Sequence, residues 1–244
     1  MNTDGPLLLM TPGPTRVPER VLRAGARPMI HHRTPEFARE LATVIELLAP
    51  LFGTSGKTMH RFVQEDVFKA DLSKASVLTL YLLPSMMMNL RTKIFNELKP
   101  GTRVVSHDYH FGDWLADDSI SFEVPEKESV TGVPKATVLL WFVPARVAGT
   151  WEVKTAAGDT YQVALNQRFQ VIDGTASAGG RPVKAQNLTL RGNDISFALP
   201  DAKGQARFTG RINGDAMEGS LEAPGKAAQR WTAMRTAAGK VVIE

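Results

Sequence analysis

Four groupings in this 244-residue chain hold residue types that do chemistry. Gly53-Thr54-Ser55-Gly56-Lys57-Thr58 is a glycine-rich turn closing on Gly-Lys-Thr, the ending of a phosphate-binding loop. Such a loop needs a glycine at the fifth position before the second one, so that enough backbone N–H groups curl around a phosphate. That position holds Leu51, and Gly53 is too close. A helical pattern leads in and the strand-like Met59-His60-Arg61-Phe62-Val63 follows, the reverse of the required strand, loop and helix. The stretch therefore reads as a polar connection. His31-His32-Arg33 could grip an anion but reads as a polar lead-in to a helix. His107-Asp108-Tyr109-His110 suggests a metal site, yet histidines three apart in extended chain point to opposite faces, so no metal is expected. Lys57 and Lys69 lack the apolar surroundings that desolvate an amine for Schiff-base chemistry. The chain has no cysteine, which removes disulfides, thiolate catalysis and zinc–thiolate sites together. No nucleophile–base pair stands out, and no catalytic residue is assigned.

The elements that must position these residues fall into three blocks. In the first, Thr34-Pro35 starts a helix, and Phe37, Leu41, Val44, Ile45 and Leu48 give it one apolar face before Pro50 and Gly53. In the second, RFV is a short strand and SVLTLY (76–81) a continuous apolar strand, as expected where both faces are covered. Leu90, Ile94, Phe95 and Leu98 mark a helix that stops at Lys99-Pro100-Gly101, with Met86-Met87-Met88 at its start. TRVVSH (102–107), SISFEV (119–124) and ATVLLWFV (136–143) are further strands. Strand, helix and strand imply a parallel, right-handed crossover, and the last two strands suit an antiparallel edge. The third block, about 147 to 236, has no helical pattern. Short alternating segments are cut by Gly, Asn and Asp, with Gly192-Asn193 and Asn213-Gly214 where tight hairpins need positive φ. This predicts an antiparallel meander with its own core, as a sandwich or partial barrel. All four tryptophans are expected to pack in cores or at edges.

Two resemblances rest on longer stretches. Residues 7–54 carry PGPT at Pro12–Thr15, VPERVL, HHRTPEF at His31–Phe37 and the closing LFGT. Together these resemble the start of a class V pyridoxal-phosphate aminotransferase of the alanine–glyoxylate or serine–pyruvate type. That resemblance implies an arm and first helix, then a Ser-Gly-Thr turn for the cofactor phosphate and a Schiff-base lysine. Neither is found, so pyridoxal phosphate is not expected. From residue 61 onward, RFVQEDVFKADLSKASVLTLYLLP and LRTKIFNELKPGTRVVSHDYHFGDW resemble the second half of a class I S-adenosylmethionine-dependent methyltransferase. The C-terminal β block resembles an extension carried by a bacterial subgroup of those enzymes.

The methyltransferase resemblance implies a doubly wound sheet and a set of cofactor-binding positions. Asp66 would contact the adenine amino group, with Val67 and Phe68 flanking the ring. Tyr81, Leu82, Leu83 and Pro84 would line the methyl-transfer site after the fourth strand of that sheet. His107-Asp108 and Gly112-Asp113-Trp114 would follow its fifth strand. The family's glycine-rich D-x-G-x-G turn does not occur upstream of Asp66.

The expected architecture is α/β plus all-β. Residues 1–55 form an aminotransferase-like helical arm, 59–144 a partial doubly wound (Rossmann-like) sheet, and 145–244 an antiparallel β domain. The chain reads as a chimera with its seam at residues 55–60, which also accounts for GTSGKT. The expected function is that of an S-adenosylmethionine-dependent methyltransferase relative, truncated and not competent alone. The alternatives are a non-enzymatic β module and an aminotransferase fragment. A small-molecule substrate is expected. The formal charge of +4 is modest and scattered, so nucleic acid is not indicated. The apolar run near the N-terminus is too short for a signal-peptide core, and no run reaches the ~20 residues of a membrane span. A cytoplasmic location is expected, and the oligomeric state is open. Half a sheet would also leave one edge of SVLTLY unpaired, a hazard that the 34–48 helix could cover in part.

Overall fold

The computed structural model describes residues 65–125, 127–128, 132–201 and 204–243, together with Arg39. The readings placed on residues 1–64, including the helix at 34–48, His31-His32-Arg33, GTSGKT and the RFV strand, lie outside the described residues. Phe68–Phe122 and Ala136–Glu244 form one compact unit, which holds both sheets and the helix between them. Met1–Val67 and Glu123–Lys135 form a second.

A four-stranded sheet has the order β1-β2-β4-β3, from β1 (Val77–Leu80), β2 (Arg103–His107), β3 (Asp118–Glu123) and β4 (Lys135–Phe142). Only β1 and β2 run parallel, with Leu80 beside Ser106. They are joined by the 14-residue helix α1 (Pro84–Glu97). Proline at its first position is pre-set for helical φ, and the helix ends before Lys99-Pro100-Gly101, where Gly101 takes a φ of 85°. Met87, Leu90, Ile94 and Phe95 are buried on α1 against the sheet face that carries Val104, Ser106 and Trp141. Strand β4 enters antiparallel beside β2, pairing Val104 with Trp141, and β3 becomes the edge. Among the described residues, the Rossmann-like description thus holds for β1-α1-β2 alone. Covering on both faces does not extend to β1: among the described residues it is an edge strand, and Val77 is exposed.

The rest of the compact unit is one ten-stranded sheet, so the described residues are mostly β. Its path runs β8-β7-β6-β5-β13-β12-β11-β10-β9, with β14 paired to β6. The strands are β5 (Gly149–Thr155), β6 (Thr160–Arg168), β7 (Val171–Ala178), β8 (Arg181–Lys184), β9 (Gln186–Arg191), β10 (Asp194–Asp201), β11 (Gly204–Asn213), β12 (Ala216–Glu222), β13 (Gln229–Ala238) and β14 (Val241–Val242). The two ends of the path, β8 and β9, are consecutive in the chain, so the sheet curls into a nearly closed barrel. Two of its strands, β8 and β14, escape the alternation pattern because each is too short to show one. The hairpin at Gly192-Asn193 is where the sequence places it, whereas the second turn sits one residue later, on Gly214-Asp215.

Alternate residues of β5, β6, β11 and β13 point inward, and Trp151, Val163, Phe197, Phe208 and Trp231 fill the barrel. Trp231 shows how closely the interior is fitted. Its indole lies over the opposed pair Gly210 and Gly219, and its Nε1 donates to the carbonyls of Thr209 and Ser220, each at 3.1 Å. A methyl group on Gly210 would stand 2.4 Å from the Trp231 ring.

Candidate functional site

In an open α/β sheet, ligands bind beyond the carboxyl ends of the parallel strands. Here those ends are Leu80 of β1 and His107 of β2. Tyr81 leaves β1 into solvent, 55% exposed, and its ring lies 5.2 Å from the His107 imidazole. Leu83 is 64% exposed at the helix N-cap, and Leu82 is half-buried between them. Pro84 follows as the first helical residue. The structure therefore brings Tyr81–Pro84 and His107-Asp108 together at one rim. Asp66, Val67 and Phe68 lie in the irregular stretch and turn before β1: Asp66 and Phe68 are exposed and Val67 is half-buried.

Asp108 departs from the strand with a φ of 62°, a conformation that Asp tolerates better than most residues. Its Oδ1 accepts the Thr137 N–H at 2.8 Å and its own N–H donates to the Thr137 carbonyl at 2.7 Å, which ties the rim to β4. Its Oδ2 lies 3.4 Å from His107 Nδ1. Tyr109 is exposed, and His110 Nδ1 accepts the Gly112 N–H at 2.9 Å. His107 and His110 thus do not converge, and no cluster of metal-ligating side chains occurs among the described residues. The rim can stack a flat group on exposed aromatic and apolar surface, and it holds no nucleophile–base pair.

The segment after the rim was legible only in part. Gly112-Asp113-Trp114 is visible in the sequence; its partners are not. Trp114 is fully buried, stacked on Phe111 at 5.3 Å and on Phe169 of the β6–β7 turn at 5.3 Å with a 3° interplanar angle. Asp113 pairs with Arg91 of α1 and with Arg168 of β6. The one sequence signal is negative: Phe169 occupies a two-residue hairpin turn at a φ of 49°, where glycine is usual.

Open grooves lie elsewhere. One of about 970 Å³ runs along the barrel seam, past Ile172, Gly174, Pro182, Val183, Lys184 and Leu188. Another of about 320 Å³ is lined by Phe95, Pro100, Arg146, Asn193 and Arg235. Neither includes Tyr81 or His107. Size alone does not make a site. The seam groove lies where the two ends of the sheet path, β8 and β9, meet, and its lining also carries Asp173, Gln186 and Asn187.

Comparisons with known proteins bear on the rim. The sequence model of the ANTKMT methyltransferase domain family matches residues 19–118. A protein-lysine N-methyltransferase of Saccharolobus islandicus is 38% identical over 71 residues, 29% of this chain and 43% of that protein. An uncharacterized aminotransferase of Methanocaldococcus jannaschii is 49% identical over 51 residues, 21% of this chain and 13% of that protein. The crystal structure of an RNA methyltransferase from Salinibacter ruber in complex with S-adenosyl-L-homocysteine shares 35% identity over 44% of this chain and 62% of that chain, with a TM-score of 0.34. The chain spans less than two thirds of the length of each of these relatives. The family match and the 38% relative support a methyltransferase part in this chain, and the rim residues Tyr81–Pro84 and His107-Asp108 lie inside the matched segment.

Proposed function

We propose that this methyltransferase part is a class I, S-adenosylmethionine-dependent one, and that the rim at the ends of β1 and β2 is the methyl-transfer side of its site. One observation carries the reading. Tyr81–Pro84 and His107-Asp108, distant in sequence, meet beyond the carboxyl ends of the two parallel strands, inside the stretch that matches a methyltransferase family. The exposed Tyr81 ring and Leu83 side chain fit one wall of that methyl-transfer side. The cofactor supplies the chemistry, an electrophilic methyl on a sulfonium that departs as a neutral thioether. The chain's part is positioning. Tyr81, Leu82 and Leu83 offer the contact surface, Pro84 fixes their approach to α1, and Asp66, Val67 and Phe68 are proposed to take the adenine. Without a D-x-G-x-G turn upstream of Asp66, binding is expected to be weak and turnover slow or absent in this chain alone.

Calorimetric titration with S-adenosylmethionine and S-adenosylhomocysteine tests this. Heat from binding tighter than about millimolar, reduced in Asp66→Ala and Tyr81→Ala, is the expected result. A flat titration at millimolar ligand overturns the enzyme reading.

We also propose that the chain is a chimera, a reading the 51-residue aminotransferase match supports. In it, residues 1–55 are an aminotransferase-type arm without its cofactor machinery, 59–144 the partial methyltransferase and 145–244 the β domain. Pyridoxal phosphate with borohydride should trap no lysine; a trapped lysine would restore the aminotransferase-fragment reading. The self-contained barrel core keeps one non-enzymatic alternative, a binding or structural β module. A protease-resistant fragment beginning near residue 145 would favour it.

A further inference from the structure

The β6–β7 turn has a conformation that its own barrel does not explain. Arg168 pairs with Val171, so the turn is the two residues Phe169-Gln170, and Phe169 takes a φ of 49°. Glycine is the ordinary residue there. Phe169 is nevertheless 1% exposed, and it stands outside the barrel's core cluster. Its ring is buried by the other sheet's elements. It stacks on Trp114, meets Phe95 of α1 edge-on at 5.7 Å, and lies under the Arg91 guanidinium at 5.2 Å. Its neighbours grip the same segment. Arg168 pairs with Asp113, and Gln170 Nε2 donates to the Leu115 carbonyl. Behind them Gln167 Nε2 donates to the Phe169 carbonyl at 2.8 Å, which holds the strained residue in place.

The gripped segment is the one that starts at the rim. From His107-Asp108 the chain runs through Phe111, packed between Trp114 and Trp141, to Asp113, Trp114 and Leu115. Gly112, at a φ of 66°, packs against Met88 so closely that a Cβ would stand 2.9 Å from its methyl group. The segment is therefore held by Thr137 at its rim end, by Arg91 and Trp141 along its middle, where Arg91 pairs with Asp113 and Trp141 Nε1 donates to the Trp114 carbonyl at 2.9 Å, and by the hairpin tip at its far end.

We propose that the β6–β7 tip is a positioning device in which Phe169, with Arg168 and Gln170, holds the 108–115 segment so that His107 keeps its place beside Tyr81 and Asp108 its place at the rim. The barrel thereby acts on the rim without contributing a residue to it, and Phe169 is a positioning residue. The effect on a ligand rests on the methyltransferase reading above; the effect on the segment does not.

Hydrogen exchange by mass spectrometry on the full chain tests the structural claim. Phe169→Gly removes the ring and relieves the left-handed φ at once, so the hairpin itself is not weakened. The expected result is exchange at least about tenfold faster over residues 107–117, with β5 and β6 amides unchanged. Arg168→Ala should give the same pattern more weakly. Leu221→Ala, inside the barrel, should speed barrel amides without singling out 107–117. Unchanged exchange over 107–117 in both tip variants, or equal loss of protection throughout the barrel, overturns the proposal. S-adenosylhomocysteine titration then separates the two readings. Binding by the parent that is weakened several-fold in Phe169→Gly supports both. Equal binding by the two overturns the positioning role. No binding by the parent overturns the methyltransferase reading, and exchange alone decides the role of the tip.

Discussion

Gln167 offers the sharpest test of how the barrel is held at its docked end. It lies on β6, 3% exposed, and its amide is fully used. Oε1 accepts the N–H of Val147 at 2.7 Å and of Ala148 at 3.3 Å; Nε2 donates to the carbonyls of Ala145 and Phe169, both at 2.8 Å. One side chain thus satisfies the connection from β4 into β5 and the tip of the β6–β7 hairpin together. Gln167→Met keeps the length and the buried position but none of the bonds. Three short bonds and one long one are lost, and up to four backbone groups are left without their partner in a buried site. At about 1 to 1.5 kcal/mol for each of the three short ones, the loss is ~3–5 kcal/mol. For a chain of this size that corresponds to a fall in Tm of about 6–20 °C. Urea unfolding followed by tryptophan fluorescence measures it, since all four tryptophans are buried. A second variant sharpens the result. Gln167→Glu keeps the acceptor but sets a carboxylate against two carbonyl oxygens, so it should be worse than Met at neutral pH and recover as pH falls and the group protonates. A loss below about 1 kcal/mol in Gln167→Met would refute the reasoning, because it would mean that water or a shift of the connection replaces these bonds freely.

Three further outcomes follow from the same structure. Gly210→Ala drives a methyl group to 2.4 Å from the Trp231 ring and 2.6 Å from the Glu218 carbonyl; it should cost ~2–3 kcal/mol and red-shift tryptophan emission, and an unshifted spectrum at parental stability would contradict the packing. The Tyr161 phenol is held above its ordinary value, first by burial and then by the carboxylates of Asp159 and Asp201. Its folded-state value being raised, its contribution is present below the unfolded value of about 10 and lost as pH rises through the folded one; a late ultraviolet titration step should appear and should vanish in Tyr161→Phe. Burial likewise raises Asp117, against the Phe142 N–H and Arg191, which lower it. Its ionised form therefore weighs on the fold as pH rises through its folded-state value. Asp117→Asn, which keeps an acceptor for the Phe142 N–H at 2.7 Å, should match or exceed the parent in thermal stability at pH 7, with the gap closing in acid; a clear loss at pH 7 would show that the charge is stabilising.

What was legible in the sequence was local. The apolar runs at SVLTLY and TRVVSH, the helical spacing from Leu90 to Leu98 and the stop at Lys99-Pro100-Gly101 give β1-α1-β2 to within two residues at the strands, while the helix itself opens earlier, at Pro84. Period-two alternation marks eight of the ten barrel strands, because inward positions must be apolar wherever one face is buried. Tyr81–Pro84 and His107-Asp108 were singled out through the methyltransferase resemblance, and the parallel crossover explains why the structure sets both strand ends on one side.

Pairing was decided elsewhere. Nothing local says that β13 lies beside β5, or that β4 enters between β2 and β3, because a strand's pattern states which face is buried and not which neighbour covers it. Phe169 shows the limit most clearly. By itself it is an aromatic residue in a turn that suits glycine, and its sequence alone carries a conflict. Only the tertiary structure resolves it: Trp114, Phe95 and Arg91, brought in from 55 to 78 residues away, bury the ring and hold a backbone conformation that local preference opposes.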